Sequence, residues 1–183
     1  MRSESEKRKW YALQLKTRFE KVVAQHLRGK GYEEYLPTYR SRRHWSDRIK
    51  EIECPLFPGY IFCKFDLRDR LPLLIIPGVR SVVSFGGAAC PIPEEEILAV
   101  QRVVNSGMQY GPWSELSEMG TGQAVQVKVG PLRGLKGVIV RVKDKHHLVI
   151  SIAMLQRYVS VEIDRDSVMP IGKDQPRFSC LTA

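Results

Sequence analysis

The sequence is poor in the residues on which catalysis and metal binding draw. Four cysteines and four histidines are spread over 183 residues. Cys54, Cys63, Cys90 and Cys180 form no CxxC pair and no His–Cys cluster at zinc-ligand spacing. Nothing in the neighbouring sequence activates these thiols, so small buried cysteines are expected, with no metal and no cofactor. No Ser/His/Asp set, paired carboxylates or glycine-rich phosphate loop has usable spacing, which argues against an enzyme. No run approaches the roughly 18 apolar residues of a membrane span. The first ten residues, MRSESEKRKW, lack the apolar core of a secretion signal. A cytoplasmic protein with no membrane partner is expected.

What remains is ordinary globular material, 43% hydrophobic and 27% charged, long enough for one domain or two small ones. The formal charge of +9 favours polyanionic partners. Arg40, Arg42, Arg43, Arg48 and Lys50 crowd into eleven residues against one acid, Asp47. Such a run is either a solvated face or a nucleic-acid contact.

Trp10 to Leu15 reads as a first strand, apolar and aromatic from its start. Thr17-Arg18-Phe19-Glu20 has the form of a capping box, and Phe19, Val22, Val23 and Leu27 follow at helical spacing as one apolar stripe. Gly29 and Gly31 end that helix. A second strand passes Tyr35-Leu36 and a third runs from about Leu56 to Phe65. Asp66 to Leu74 is read as a short helix, Pro77-Gly78 as a turn and Val79 to Phe85 as a strand. Pro93 and the acidic Glu94, Glu95 and Glu96 open a further helix with Ile97, Val100 and Val104 on one face. The order β-α-β-β-α-β-α implies an α+β sandwich, an antiparallel sheet with flanking helices.

From Asn105 to Gly122 the hydrophobic period vanishes, as in a linker; Tyr110 and Trp113 within it are candidates to dock on a domain. Beyond it the valines alternate. Val125, Val127 and Val129 form one set, Val138, Val140 and Val142 a second, Leu148, Ile150 and Ile152 a third, and Val159, Val161 and Ile163 a fourth. Period two repeated across short polar turns predicts a small half-exposed β-barrel, and its β-branched richness argues against a stable helical state. The domains are expected at 8–106 and 122–171, with the linker at 107–121.

The most informative stretch is Pro55-Leu56-Phe57-Pro58-Gly59-Tyr60-Ile61-Phe62. Tyr60 and Phe62, two apart, share one side of an extended chain, and Gly59 leaves room for a partner backbone. Alone, this fits a hairpin turn entering a core strand as well as an interface. Gly130-Pro131-Leu132-Arg133-Gly134-Leu135-Lys136-Gly137, between the first two barrel strands, resembles the turn of the KOW module, an SH3-like barrel. Taken in order, WYALQL, the helix with His26-Leu27, PLFPGYIF, Pro77-Gly78-Val79 and PEEEI resemble the NusG family of transcription elongation factors. The resemblance covers nearly all of residues 9–170. Trp45-Ser46-Asp47-Arg48 before PLFPGY looks more like the specialised RfaH-like and capsule-operon paralogues than the housekeeping factor.

The resemblance implies an NGN-like domain followed by a KOW barrel, and a monomeric transcription elongation or antitermination factor. The first domain would lie across the RNA polymerase cleft on the clamp helices of the β′ subunit, with the β subunit as a further contact, holding the clamp closed and suppressing pausing or termination. Trp10, Tyr11, Phe57, Pro58, Tyr60 and Phe62 are implied as that apolar face, which must then be exposed. Lys16 and His26 match positions that touch the non-template single-stranded DNA, though His26 also fits a core-edge histidine. Arg42, Arg43, His44, Trp45 and Arg48 combine cations with a stacking surface, as in single-strand binders, on what would be a hairpin arm. In the barrel, Leu132, Leu135, Met154 and Leu155 are apolar loop residues matching those that contact either the termination factor Rho or a small-subunit ribosomal protein. Here the sequence departs, with Leu132 in place of the usual aromatic and no Phe-Gly after Ile152. The rival reading is a KOW protein that binds the ribosome or another structured RNA.

Overall fold

The computed structural model describes residues 8–45, 48–113, 122–142 and 144–171, without the side chains of 42–49. The chain divides into two compact units between Glu94 and Glu95.

The first unit is built on an antiparallel sheet of order β2-β5-β1-β6, comprising β1 (Lys9–Leu15), β2 (Glu33–Tyr35), β5 (Tyr60–Phe65) and β6 (Val79–Val82). The register pairs Trp10 with Lys64, Ala12 with Phe62 and Gln14 with Tyr60. Alternation therefore sends Tyr11, Leu13 and Leu15, with Ile61, Cys63 and Phe65, to one face. There they form a core with Val23, Ala24 and Leu27 of helix α1 (Glu20–Gly29) and with Leu73 and Ile76 around helix α2 (Leu71–Leu74). Trp10, Ala12 and Phe62 on the opposite face are buried as well. A strand apolar at nearly every position is what a sheet covered on both sides requires.

The capping box does not form. Phe19 is the N-cap residue and its ring accepts no capping bond, while the Glu20 carboxylate turns inward and accepts the Gly59 N–H at 2.9 Å. The helical stripe also splits: Val23 and Leu27 are buried, whereas Phe19 and Val22 are 36% and 42% exposed. A left-handed Gly31 ends the helix (φ 79), letting the Tyr32 N–H reach back to the Leu27 carbonyl at 3.0 Å.

Between β2 and β5 the chain leaves the sheet as a separate two-stranded hairpin, β3 (Thr38–Trp45) and β4 (Arg48–Pro55). Thr38 lies opposite Pro55 and Trp45 opposite Arg48, in unbroken register. Eight-residue strands make an arm roughly 25 Å long. Its base is tied to α1 by Lys21 Nζ donating to Glu53 at 2.7 Å, and Thr38 Oγ1 of β3 donates to the same carboxylate at 2.8 Å across the hairpin. A smaller hairpin, β7 (Ser84–Phe85) and β8 (Ala88–Ala89), follows β6.

The second unit begins in helix α3 (Glu94–Val104), which buries Ile97, Val100 and Val103; Val103 takes the place expected for Val104. The stretch expected as a linker contains a strand, β9 (Tyr110–Trp113), paired with β13 (Arg157–Glu162). With β10 (Gln123–Val127), β11 (Lys136–Val142), β12 (Lys145–Ile152) and β14 (Val168–Pro170) it makes an antiparallel sheet of order β14-β10-β11-β12-β13-β9. Val125 pairs with Gly137 and Ile139 with Leu148, so Ile139 shares the face of Val125, Leu148 and Val161. Val138, Val140 and Val142 therefore lie on the opposite face from the other three alternating sets. There Val138, Val140 and Val149 form a second cluster under Trp113, Val142 and Tyr158. A Cβ on Gly137 would stand 2.7 Å from the Val149 carbonyl oxygen, so glycine lets β11 lie this close to β12 without a shift of the backbone.

Candidate functional site

The PLFPGY turn is held from two sides. Leu15 N–H donates to the Gly59 carbonyl at 2.8 Å, Tyr60 N–H closes the turn on the Phe57 carbonyl at 3.1 Å, and Glu20 takes the Gly59 N–H. Gly59 has φ 81, a conformation that glycine reaches without strain. Phe57 and Phe62 meet edge to face with centroids 5.3 Å apart, and Tyr35 stacks on Phe62 at 6.4 Å.

That packing corrects the expected aromatic face. Phe57 and Phe62 are 2% and 0% exposed, and Trp10 and Tyr11 are also buried. Adjacent residues of a strand point to opposite faces, so Trp10 and Tyr11 were never able to share one patch. Lys64 Nζ sits 5.9 Å from the Trp10 ring centroid. Sealing an aromatic in the core is worth about 1.5–3 kcal/mol, more than a free surface ring returns without its partner. Of the six residues, Pro58 is exposed and Tyr60 half-buried. Among the described residues, the large exposed hydrophobic side chains of this unit are instead Phe19, Val22, Leu71, Ile75 and Phe85.

Lys16 and His26 are both exposed. Phe19, Val22 and His26, spaced three and four apart, occupy one face of α1, and Lys16 stands just before its first turn. The Lys16 N–H donates to the Gly78 carbonyl at 2.8 Å, which brings the β1–α1 turn against the Pro77-Gly78 turn before β6. A Cβ on Gly78 would fall 2.4 Å from Phe19 Cδ1, so this glycine seats the ring. Arg18 lies in this turn with φ 70. On the hairpin arm, Arg42, Arg43, His44, Trp45 and Arg48 take register positions opposite Glu51, Lys50, Ile49, Arg48 and Trp45 respectively; their side chains lie outside the described residues, as do Ser46 and Asp47.

The barrel loops differ from expectation too. The Gly130–Gly137 turn folds back through Gly134 N–H donating to the Val127 carbonyl at 2.8 Å, with Gly130 and Gly134 both left-handed. That inserts Leu132 and Leu135 into the core, where both are buried. Met154 and Leu155, in a short 3-10 turn after β12, are half-exposed. Burial pushes the Cys63 thiol up to about 12, with Glu34 and Glu33 adding to the shift, so it carries no thiolate at neutral pH. Among the described residues no group of three or more His, Cys, Asp or Glu is placed to hold a metal. No helix among them is long and apolar enough to cross a membrane.

The family model described as "NusG: Transcription termination factor nusG" matches residues 8–101, more than half of the chain. The chain belongs to the NusG family. Its relatives include the transcription termination/antitermination protein NusG of Vibrio vulnificus, 26% identical over 175 residues, covering 88% of this chain and 95% of that one. The corresponding NusG of Escherichia coli O6:H1 is 27% identical over 180 residues, covering 91% and 98%. A solved structure of Thermotoga maritima NusG superposes with a TM-score of 0.52 at 21% identity, covering 92% of this chain and 99% of that one. The α+β unit followed by a KOW-like β unit is thus the NusG arrangement. Three features of this NusG-family protein were missed in the sequence: the Glu20 tie to Gly59, the exposure of Phe19 and Val22, and the left-handed Arg18. Only the first left a signal, an acid at the head of a helix whose hydroxyl partner three residues earlier reads as a cap.

Proposed function

We propose that this protein is a non-catalytic transcription elongation and antitermination factor that binds RNA polymerase across its cleft and shortens pauses or suppresses termination. The observation that carries the reading is the alignment of relatives named transcription termination/antitermination proteins over 88% and 91% of the chain. The module at residues 8–106 would meet the clamp helices of the β′ subunit through Pro58 and Tyr60, held in place by the buried Phe57 and Phe62. Lys16 and His26, joined by the exposed Phe19 and Val22, would face the displaced non-template strand, and the basic hairpin arm would extend that contact. Met154 and Leu155 are the remaining apolar groups for a Rho or ribosomal-protein contact on the barrel at 122–171. The Trp45-Ser46-Asp47-Arg48 segment favours a specialised paralogue.

Purified polymerase on a template with defined pauses tests this reading. Pause lifetimes are expected to shorten when the protein is added, and Tyr60→Ala is expected to abolish the effect and polymerase retention while leaving the fold intact. Pauses of unchanged length refute the reading, and tight binding to structured RNA without polymerase favours a ribosomal role.

A further inference from the structure

Between α3 and β10, where the sequence reads as a linker, four residues (YGPW) are paired as β9 along the outer edge of β13. By composition β9 is a poor strand, because glycine and proline fill its middle and both are depleted in sheets. The place of the proline is informative. Glu162 N–H donates to the Gln109 carbonyl at 3.1 Å, whereas Ile163 N–H donates to the His146 carbonyl of β12 at 3.0 Å. The even-numbered residues of β13 thus bond towards β9 and the odd-numbered ones towards β12. Pro112 stands opposite the odd-numbered Val159, a pair that exchanges no hydrogen bond. Its missing N–H therefore falls on the side of β9 facing away from β13, where proline stops another strand from adding.

The strand that β9 covers is opposite in character. β13 is RYVSVE, six residues with two valines and a tyrosine, no glycine or proline, and Arg157 offset by Glu162. High β-propensity without net charge is the composition that pairs with copies of itself when its edge is bare. With β9 in place, Val159, Ser160 and Val161 are buried. The cover is pinned at one end by Trp113. Its ring lies 5.5 Å from that of His147 and packs, with Tyr158 and Val142, on Val138, Val140 and Val149. A single aromatic anchor and the backbone bonds of a short strand hold the edge closed.

We propose that β9 is a releasable guard that keeps the chain monomeric, and that the edge beneath it is a self-association surface on which β13 of a second copy pairs antiparallel. A two-fold axis through Ser160 sets Val159 against Val161 of the second copy and Tyr158 against Glu162 of the second copy. That register keeps paired side chains on one face and opposes no like charges. The even-numbered amides that bonded β9 then bond the second copy. Hydrogen exchange and sedimentation of the full chain, with no polymerase present, test this together. In the parent, the Tyr158, Ser160 and Glu162 amides should exchange faster than those of Val159 and Val161, since release of β9 frees only the first set. Trp113→Ala is expected to speed that set about tenfold, for the loss of one aromatic anchor. It should also shift the protein from monomer to dimer as concentration rises, with the same amides regaining protection. Gly111→Thr places a Cβ that meets nothing within 4 Å; it should strengthen β9, slow this exchange and keep the protein monomeric. Where Trp113→Ala opens the whole barrel, shown by fast exchange at Val159 and Val161, the milder Trp113→Leu carries the same two measurements. A loosened variant that stays monomeric with its even-numbered amides open overturns the proposal. So does growth past the dimer, or a parent whose odd- and even-numbered amides exchange together.

Discussion

Glu20 gives the sharpest handle on how the PLFPGY turn is held. Its side chain is buried at 6% exposure, and its carboxylate accepts the Gly59 N–H at 2.9 Å across 39 residues of sequence. Replacement by alanine removes a charged acceptor and leaves a part-buried N–H without a partner. Hydrogen bonds to charged groups contribute roughly 1.5–3 kcal/mol, and an orphaned buried donor costs about 1–3 kcal/mol. These are two views of the same loss, so Glu20→Ala should destabilise the first unit by about 2 kcal/mol. Glu20→Gln keeps a carbonyl acceptor and forfeits only the charge assistance, for roughly half that effect. Denaturant unfolding should show a lower midpoint at unchanged slope, the sign of altered stability rather than altered compactness. Hydrogen exchange should place the change, with the Gly59 and Tyr60 amides losing protection before those of β12. Polymerase retention should fall with it, because Tyr60 follows directly from the released turn. A Glu20→Ala protein within about 0.5 kcal/mol of the parent, with Gly59 exchange unaltered, would refute the idea that this carboxylate fixes the turn.

Two further outcomes follow from packing and charge. Gly137→Ala sets a Cβ 2.7 Å from the Val149 carbonyl oxygen and 2.9 Å from Leu148 Cδ1. It should destabilise the second unit by about 1–3 kcal/mol, the usual range for overpacking, read as an earlier unfolding transition that spares Gly59 protection. Glu53 is held below the usual carboxylate range by its hydrogen bond from Lys21, then by that from Thr38 and the Lys21 charge. Its contribution is present above the unfolded carboxylate pKa and is lost as pH falls through the lower folded value. Exchange at the hairpin base, at Thr38 and Leu56, should accelerate in that acid window, and Glu53→Gln should show the fast exchange already at neutral pH.

How much of this was legible in the sequence depends on whether one strand or several decided the outcome. The α+β order, the PLFPGY turn and the barrel's alternation follow from local chemistry, namely glycine at turns, period two in strands and β-branched side chains on a pleated surface. Facing was harder. WYALQL and YIFCKF are apolar at nearly every position, so alternation alone does not say whether one face or two are covered; the presence of elements on both sides is a tertiary fact. The same ambiguity shifted β11 by one residue. Val138, Val140 and Val142 form a clean alternating set, but Ile139 is equally apolar, and only the pairing of Gly137 with Val125 fixes the phase. The β3–β4 hairpin was half seen, because RIKEIECP alternates charge with apolar residues weakly and its partner TYRSRRHW mixes three arginines with polar and aromatic residues without a clear period.

The errors also have a direction. Two of the aromatics expected outside and found inside are locked by neighbours distant in sequence, Phe62 by Tyr35 and Tyr11 by Phe65. Of the side chains expected inside and found outside, Phe19 and Val22 lie at the first turn of α1, and Val129, 57% exposed, lies just past the end of β10. Burial is a collective property, and local pattern under-reads it. Phe19 shows the converse: its ring lies against Gly78, where a Cβ would fall 2.4 Å from Cδ1, so a side chain can be fixed by a close contact from a distant turn and still remain 36% exposed.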